Sequence, residues 1–222
     1  MDGASINRSA WNAQARALLP YDRAQGVPSR FEWTQYPGHG PGIELFGDVR
    51  GLRVAELGCG CGDNLALLAM RGARCVGVDV APAQIRRALT RWSHLPIRFR
   101  CTDASTFLAA SRVPLDVCFS VFGAVGHSPP EQILPTIASR LRPGGRLLFS
   151  VADPQWLGPD RHYLRLPDGS SVRVARWTAS PTGWRAAIHA AGLRMTKINE
   201  VRTPNDSDRC CTIVTAVKPV SP

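Results

Sequence analysis

The residues whose types and spacing could do chemistry lie in one short run, Glu56-Leu57-Gly58-Cys59-Gly60-Cys61-Gly62, followed by Asp63. Glycines at alternate positions let the backbone turn tightly and let a ligand approach where any Cβ would block it. Two ligand types use such turns: dinucleotides and S-adenosylmethionine. The dinucleotide fingerprint G-x-G-x-x-G, started at Gly58, needs a small residue at position 63, where this chain has Asp63. An anion at a helix start is a good cap but repels a pyrophosphate on the same amides. A ligand with a sulfonium and an ammonium tolerates it, and Glu56 adds a second carboxylate. Further on, Val78-Asp79-Val80 places an acid where it would accept hydrogen bonds from two ribose hydroxyls, a use open to either cofactor.

These residues need elements to hold them, and the hydrophobic pattern supplies a β–α alternation. The apolar runs Leu52–Leu57, Cys75–Val80, Ile97–Cys101, Leu115–Val121 and Arg146–Val151 read as buried strands. Between them Asn64–Arg71, Pro82–Trp92, Ala104–Ser111 and Glu131–Leu141 read as helices, the second with Pro at its first turn and the last stopped by Pro143-Gly144-Gly145. Continuous apolar strands alternating with helices imply a parallel sheet covered on both faces. Beyond it, Pro167-Asp168-Gly169 joins Tyr163–Leu166 to Ser171–Arg176 as a hairpin, and Thr182–Ala191 is helical. Arg194–Val201 and Thr212–Val217 then close the sheet. At the other end Ser9–Leu19 reads as a helix, with Trp11, Ala15, Leu18 and Leu19 on one face. The irregular stretch 20–42 that follows carries Tyr21, Phe31, Trp33 and Tyr36. Long aromatic-bearing loops are usually lids or binding loops, so residues 1–45 are expected to form a helical lid over a compact domain at 46–222.

Five segments together resemble the class I, Rossmann-like S-adenosylmethionine-dependent methyltransferases, of the small-molecule type. They are Val54–Asp63, Gly77–Val80, Cys101–Ala104, Leu115–Ser120 and Leu141–Leu147, in the family's order and covering about residues 50–150. The resemblance implies an α/β, doubly wound, seven-stranded and mostly parallel sheet with a reversed last strand. It also implies S-adenosylmethionine as cofactor, a methyl acceptor, and roles by position. Glu56, Gly58, Gly60 and Gly62 would surround the methionine moiety, Asp79 and Val80 the ribose, and Asp103 and Ala104 the adenine. Ser120 and Phe122 would end the fourth strand beside the reacting methyl.

Methyl transfer from an activated sulfonium needs mainly positioning, with a base only for a protonated acceptor. His127, at the sheet's carboxyl edge, is the candidate base; packing or helix entry is its other reading. On the expected lid, His39 and Tyr36 could touch cofactor or acceptor, as could Tyr163 before the hairpin. Tyr21, Trp33 and Trp156, with Trp11 and Trp177, would wall an acceptor pocket.

Composition excludes other classes. No apolar run approaches the roughly 20 residues of a membrane span. The first residues lack a basic segment followed by a hydrophobic one, so a cytoplasmic location is expected. Seven cysteines include no separated pairs at zinc spacing, so no metal is expected. The formal charge of +10 rests on 27 Lys+Arg, of which only Lys197 and Lys218 are lysine. Such a surface invites a nucleic-acid partner. However, the arginines are scattered from Arg8 to Arg209 without a block, and Ser120-Val-Phe-Gly123 is not the Asp/Asn-Pro-Pro-aromatic segment of amino-directed nucleic-acid enzymes. A small-molecule O- or N-methyltransferase is therefore the leading expectation, with bacterial specialised metabolism as its expected setting. An RNA methyltransferase and a non-catalytic cofactor-binding subunit are the alternatives, and the oligomeric state is open.

Overall fold

Strands rich in Val, Leu, Cys and Phe form the centre of the molecule, in a computed structural model that describes residues 3–19, 28–157, 162–205 and 208–220. The parallel strands are β1 (Arg53–Leu57), β2 (Arg74–Asp79), β3 (Arg98–Cys101), β4 (Leu115–Val121) and β5 (Leu141–Ala152). They join β8 (Arg194–Arg202) and β9 (Arg209–Val217) in one sheet of order β3-β2-β1-β4-β5-β9-β8. β9 pairs antiparallel with both β5 and β8. The order reverses between β1 and β4, and a crevice outside the strand ends at such a switch point is where open α/β sheets bind ligands.

Alternation along each strand separates two cores. Val54, Phe119, Leu148 and Ile213 face one side; Ala55, Cys118, Phe149 and Val214 face the other. The second side is covered by α4 (Ala104–Ala110), α5 (Pro130–Arg140) and α7 (Pro181–Ala190). The first side has α2 (Asp63–Met70) and α3 (Pro82–Trp92), and among the described residues no third helix. Its place over β4, β5 and β9 is taken by the irregular segment 28–49. There Phe31, Trp33 and Phe46 pack on Phe119, with Trp33 stacked on Phe46 at 5.3 Å. Trp33 is fully buried and its Nε1 donates to the Gly42 carbonyl at 2.9 Å. Arg146 Nη2 reaches the Phe46 carbonyl at 2.6 Å and ties the segment to β5.

The expected lid therefore divides. Helix α1 (Gly3–Leu18) begins six residues before the sequence reading placed it. It packs on α3, on β7 (Ser171–Arg173) and on the 3-10 turn Ala124–His127, outside the strand ends. Asn12 Oδ1 accepts from the Ala83 amide at 2.9 Å, capping α3 from a different helix. Trp33, by contrast, is scaffold rather than lid. Tyr36 packs against that same apolar core, and His39 Nε2 contacts the Arg202 carbonyl at 2.8 Å beside β8. Tyr21 lies outside the described residues. The hairpin forms from β6 (Tyr163–Arg165) and β7, with Gly169 at φ +85° in the turn. After β5 comes α6 (Pro154–Leu157), which carries Trp156. Among the described residues no helix is long and apolar enough to cross a membrane.

Truncating a fully buried indole removes its packing and leaves the Gly42 carbonyl without its donor. Trp33→Ala is expected to lower the unfolding free energy by about 3–5 kcal/mol in urea titrations. A loss below about 1 kcal/mol, the size of an ordinary surface change, would return Trp33 to a surface cover.

Candidate functional site

A cavity of about 850 Å³ opens at the carboxyl ends of β1, β2 and β4, roofed by α1. Its volume is within the range of small-molecule sites, roughly 300–1,000 Å³. Glu56, Gly58, Gly60, Asp79, Val80, Asp103, Ala104 and Phe122 line it. Gly62 and Ser120 do not, and their geometry explains why. Gly62 sits at φ +79° at the start of α2, where a Cβ would meet the Phe99 ring at 2.9 Å. Ser120 is fully buried: its Oγ donates to the Leu57 carbonyl at 2.7 Å and accepts from the Val125 amide at 3.3 Å. Both residues shape the floor from behind rather than face a ligand.

Two glycines in the loop have different reasons to be glycine. At Gly58, with φ +78°, a Cβ would lie 2.6 Å from the Ala124 nitrogen and 2.7 Å from Gly123 Cα. At Gly60, with φ +53°, a Cβ would meet nothing within 4 Å and would project into space that the cavity uses. Gly58 is demanded by the protein's own packing. At Gly60 the positive φ alone demands glycine, and the residue borders the open cavity.

The electrostatics of the floor are acidic. Asp79 is nearly buried; its Oδ2 accepts from the Gly60 amide at 2.9 Å and its Oδ1 from the Ala81 amide at 2.8 Å. Burial raises its pKa and these two bonds oppose the rise. Glu56 is 3% exposed, and its Oε2 has no hydrogen-bond partner. Burial first, then the charges of Asp63 and Asp79, pushes its carboxyl well above the ordinary range. A buried carboxylate oxygen without a donor is costly unless something else supplies one. Asp63 does not cap α2 as the sequence suggested. It lines the cavity while bound to Arg91 Nε at 3.0 Å and Trp92 Nε1 at 3.2 Å. Asp103 caps α4 instead, its Oδ1 accepting from Ser105 and Thr106. Burial pushes the Cys61 thiol up to about 12 and Cys59 upward too, so neither is a nucleophile at neutral pH.

His127 lines the cavity, with its ring edge-on to Trp11 at 5.3 Å. Its Nδ1 donates to the Ala175 carbonyl at 2.7 Å, and Asn7 braces the same junction, bonding the His127 carbonyl at 3.1 Å and the Ala175 amide at 2.8 Å. Burial lowers the imidazole pKa to about 4, partly opposed by backbone carbonyls and reinforced by the charge of Arg176. The ring is neutral at physiological pH, with little driving force to take a proton. Phe122, five residues earlier, holds φ +45°, the one described non-glycine residue with positive φ. Tyr163 is half-exposed on the hairpin and, like Tyr36, His39 and Trp33, does not line this cavity. Trp11 and Trp177, expected to wall a pocket, do line the cavity, and the residues that the sequence reading missed are on α1 and α3: Asn7, Gln14 and Leu18 face it, as do Gln84 and the buried Arg87. The three-and-four spacing of Ala4, Asn7, Trp11, Gln14 and Leu18 was the signal available for α1.

Residues 54–145 match the family described as "Methyltransferase domain". A ubiquinone biosynthesis O-methyltransferase of Chromobacterium violaceum is 28% identical over 112 residues, 49% of this chain and 48% of the relative. A trans-aconitate 2-methyltransferase of Paracidovorax citrulli is 28% identical over 148 residues, 65% of this chain and 51% of the relative. The chain spans about half the length of the curated relatives it matches. The crystal structure of magnesium protoporphyrin IX methyltransferase from Synechocystis PCC 6803, with bound S-adenosylhomocysteine, superposes with a TM-score of 0.67. That match covers 98% of this chain and all of the other at 18% identity, a likeness of fold.

A histidine whose folded pKa lies below its unfolded value near 6.5 contributes stability that is complete above the unfolded value and lost as pH falls toward the folded one. Lowering the pH from 7 to 5 is expected to remove about 2 kcal/mol through His127. The check is urea unfolding at both pH values for wild type and His127→Gln: the gap between them should narrow by that amount at pH 5. An unchanged gap would place His127 in solvent.

Proposed function

With a methyltransferase domain on the class I, S-adenosylmethionine-dependent methyltransferase fold as the premise, we propose that this chain binds S-adenosylmethionine in the 850 Å³ cavity and methylates a small molecule there. The observation that carries the reading is the unpartnered, buried Glu56 Oε2 beside the open volume at Gly60. A cationic ammonium supplies the donor that this oxygen lacks, and a dinucleotide pyrophosphate would be repelled by it. Asp79 holds the ribose diol with the lone pairs that Gly60 and Ala81 leave, each carboxylate oxygen having two. Val80, Asp103 and Ala104 border the adenine, and Phe122 the transfer end.

When bound, the cofactor supplies an activated methyl group on a sulfonium sulfur. The chain's residues do the rest by placement and exclusion of water. Helix α1 covers the strand ends with Trp11, and Asn7 ties that helix to the turn carrying His127. His127 presents a fixed neutral tautomer and acts as a positioning residue, with its Nδ1 proton committed to Ala175. An acceptor that is a weak acid receives little help from a base of that pKa, so the site suits an acceptor that arrives as a nucleophile.

Isothermal titration with S-adenosylmethionine, S-adenosylhomocysteine and NAD tests the reading. Micromolar binding of the first two and none of NAD is expected. Glu56→Gln sharpens it, because the raised folded pKa makes ionised Glu56 destabilising at neutral pH. The variant should unfold at a higher temperature than wild type without ligand, yet bind S-adenosylmethionine at least about tenfold more weakly, the loss of one charge-assisted hydrogen bond. NAD binding without S-adenosylmethionine binding would overturn the proposal.

A further inference from the structure

Arginines that are scattered in sequence are gathered by the sheet. β1 and β2 begin with Arg53 and Arg74, which are register partners on adjacent parallel strands. Arg98 and Arg100 stand on β3, beside Val76 and Val78 of β2. Alternation puts all four on the sheet face that α4, α5 and α7 cover, since Ala55, Val76 and Val78 of that face pack in its core. All four are nonetheless exposed. Arg112, between α4 and β4, and Arg142, at the start of β5, extend the band across the starts of the parallel strands. At a strand spacing of about 4.8 Å the span from β3 to β5 is about 19 Å.

Like charges on paired strands repel, so folding alone disfavours Arg53 beside Arg74. Charged side chains on the edge strand β3 keep the sheet from pairing with another, but β1 and β2 are interior strands and need no such guard. The acid within the band, Asp116, is already engaged: its Oδ2 accepts from the Arg53 amide at 2.8 Å and its Oδ1 from Arg142 Nε. Arg74, Arg98, Arg100 and Arg112 form no ion pair among the described residues. An anionic partner would relieve the repulsion that the fold leaves in place. Which anion fits follows from what the band lacks. Protein interfaces are anchored by large apolar and aromatic side chains at their centre, whereas the exposed apolar residues near the band, Val113 and Val220, are small and lie at its flank. Single strands are gripped by stacking bases on aromatic rings, yet Phe99 is buried beneath the band and among the described residues no exposed Phe, Tyr or Trp lies on it. What remains is recognition by charge and by the planar guanidinium fork, which binds phosphate oxygens in pairs.

We propose that this band docks the phosphate backbone of a nucleic-acid duplex without reading its sequence. The five residues of β1 put about 16 Å between Arg53 and the glycine loop at the cavity floor, so a duplex docked there is not the methyl acceptor. The docking surface is independent of the methyl-transfer reading, and it leaves the cavity at the other end of the strands open.

The test is fluorescence anisotropy of the full chain with a labelled, mixed-sequence DNA duplex of roughly 20 base pairs, between about 50 and 200 mM NaCl. Arg74→Gln, Arg98→Gln and Arg100→Gln, made together, should weaken binding at least about tenfold at the low-salt end and flatten the slope of log K against log salt by about 2–3. A control removes the same formal charge elsewhere: Arg86→Gln, Arg165→Gln and Arg173→Gln, exposed on α3 and the hairpin, should together cost less than about threefold. Equal losses in the two variants, or no duplex binding by wild type over this range, would overturn the docking site. Poly-glutamate bound as tightly as the duplex would overturn nucleic acid in favour of an acidic protein. Should the band variant not fold, phenylglyoxal modification of wild type decides. The duplex should protect Arg74, Arg98 and Arg100 and leave Arg86, Arg165 and Arg173 reactive; uniform or reversed protection would overturn the proposal. Saturating duplex should leave S-adenosylhomocysteine affinity within about twofold, and displacement of one by the other would put the duplex at the cavity instead of the band.

Discussion

Where β1 and β4 end side by side, the chain leaves no room for a single added methyl group. A Cβ on Gly58 would lie 2.6 Å from the Ala124 nitrogen, and one on Gly123 would lie 2.4 Å from the Leu57 carbonyl oxygen. Two backbones meet directly, and Ser120 Oγ bridges them by bonding Leu57 and Val125. Much else depends on that contact. It sets the angle at which the glycine loop leaves β1, and so the direction of the Gly60 and Asp79 groups. It also forces the chain after β4 into a sharp exit, in which Phe122 takes a positive φ at a cost of about 1–2 kcal/mol. The amide of Phe122 is secured to the Ser150 carbonyl at 3.0 Å, so the strain is held by the sheet. The same exit aims Phe122 and His127 at the main cavity.

The acidic floor carries a second cost that folding alone does not explain. Glu56 is buried without a donor for Oε2, and Asp63 and Asp79 raise its pKa further. Asp79 is better served, by two amides, yet burial still dominates its shift. A core optimised for stability would place Gln or an apolar residue at position 56. The carboxylate is explained by a cationic ligand that satisfies it on binding, the usual relation between a destabilised site and its function. The net charge of +10 is silent on this, because basic residues on the outer surface coexist with a local cluster of acids at the strand ends.

Much of this architecture was legible in the sequence, and the parts that were not have a common cause. Apolar runs and helical periodicity place each sheet strand and each covering helix within a few residues; Pro82–Trp92 and Leu115–Val121 coincide with α3 and β4. β5 starts earlier than expected, at Leu141, because Leu141 pairs with Leu115 across an irregular register and Pro143-Gly144-Gly145 is absorbed into the strand. Periodicity is local, however, and the role of segment 28–49 is not. An irregular run with Phe31 and Trp33 reads as a lid until one knows that, among the described residues, one sheet face has only two covering helices. Only the assembled topology shows that deficit. Ser120 and Gly62 were misjudged for a related reason: their positions matched a ligand-facing pattern, while Ser120 bonds the distant Leu57 carbonyl and Gly62 packs under the Phe99 ring.

Helix α1 shows how such long-range partners couple the lid to the chemistry. Asn7 bonds the His127 carbonyl and the Ala175 amide, while the His127 ring bonds the Ala175 carbonyl. Three segments distant in sequence thus meet in one polar knot, and Arg176 is the next residue along. Both Asn7 bonds leave from α1, so the helix that roofs the main cavity is fixed at once to the 3-10 turn and to the segment after β7. Trp11, on the same helix, packs edge-on against the His127 ring, so the placement of α1 also sets the aromatic wall of the cavity.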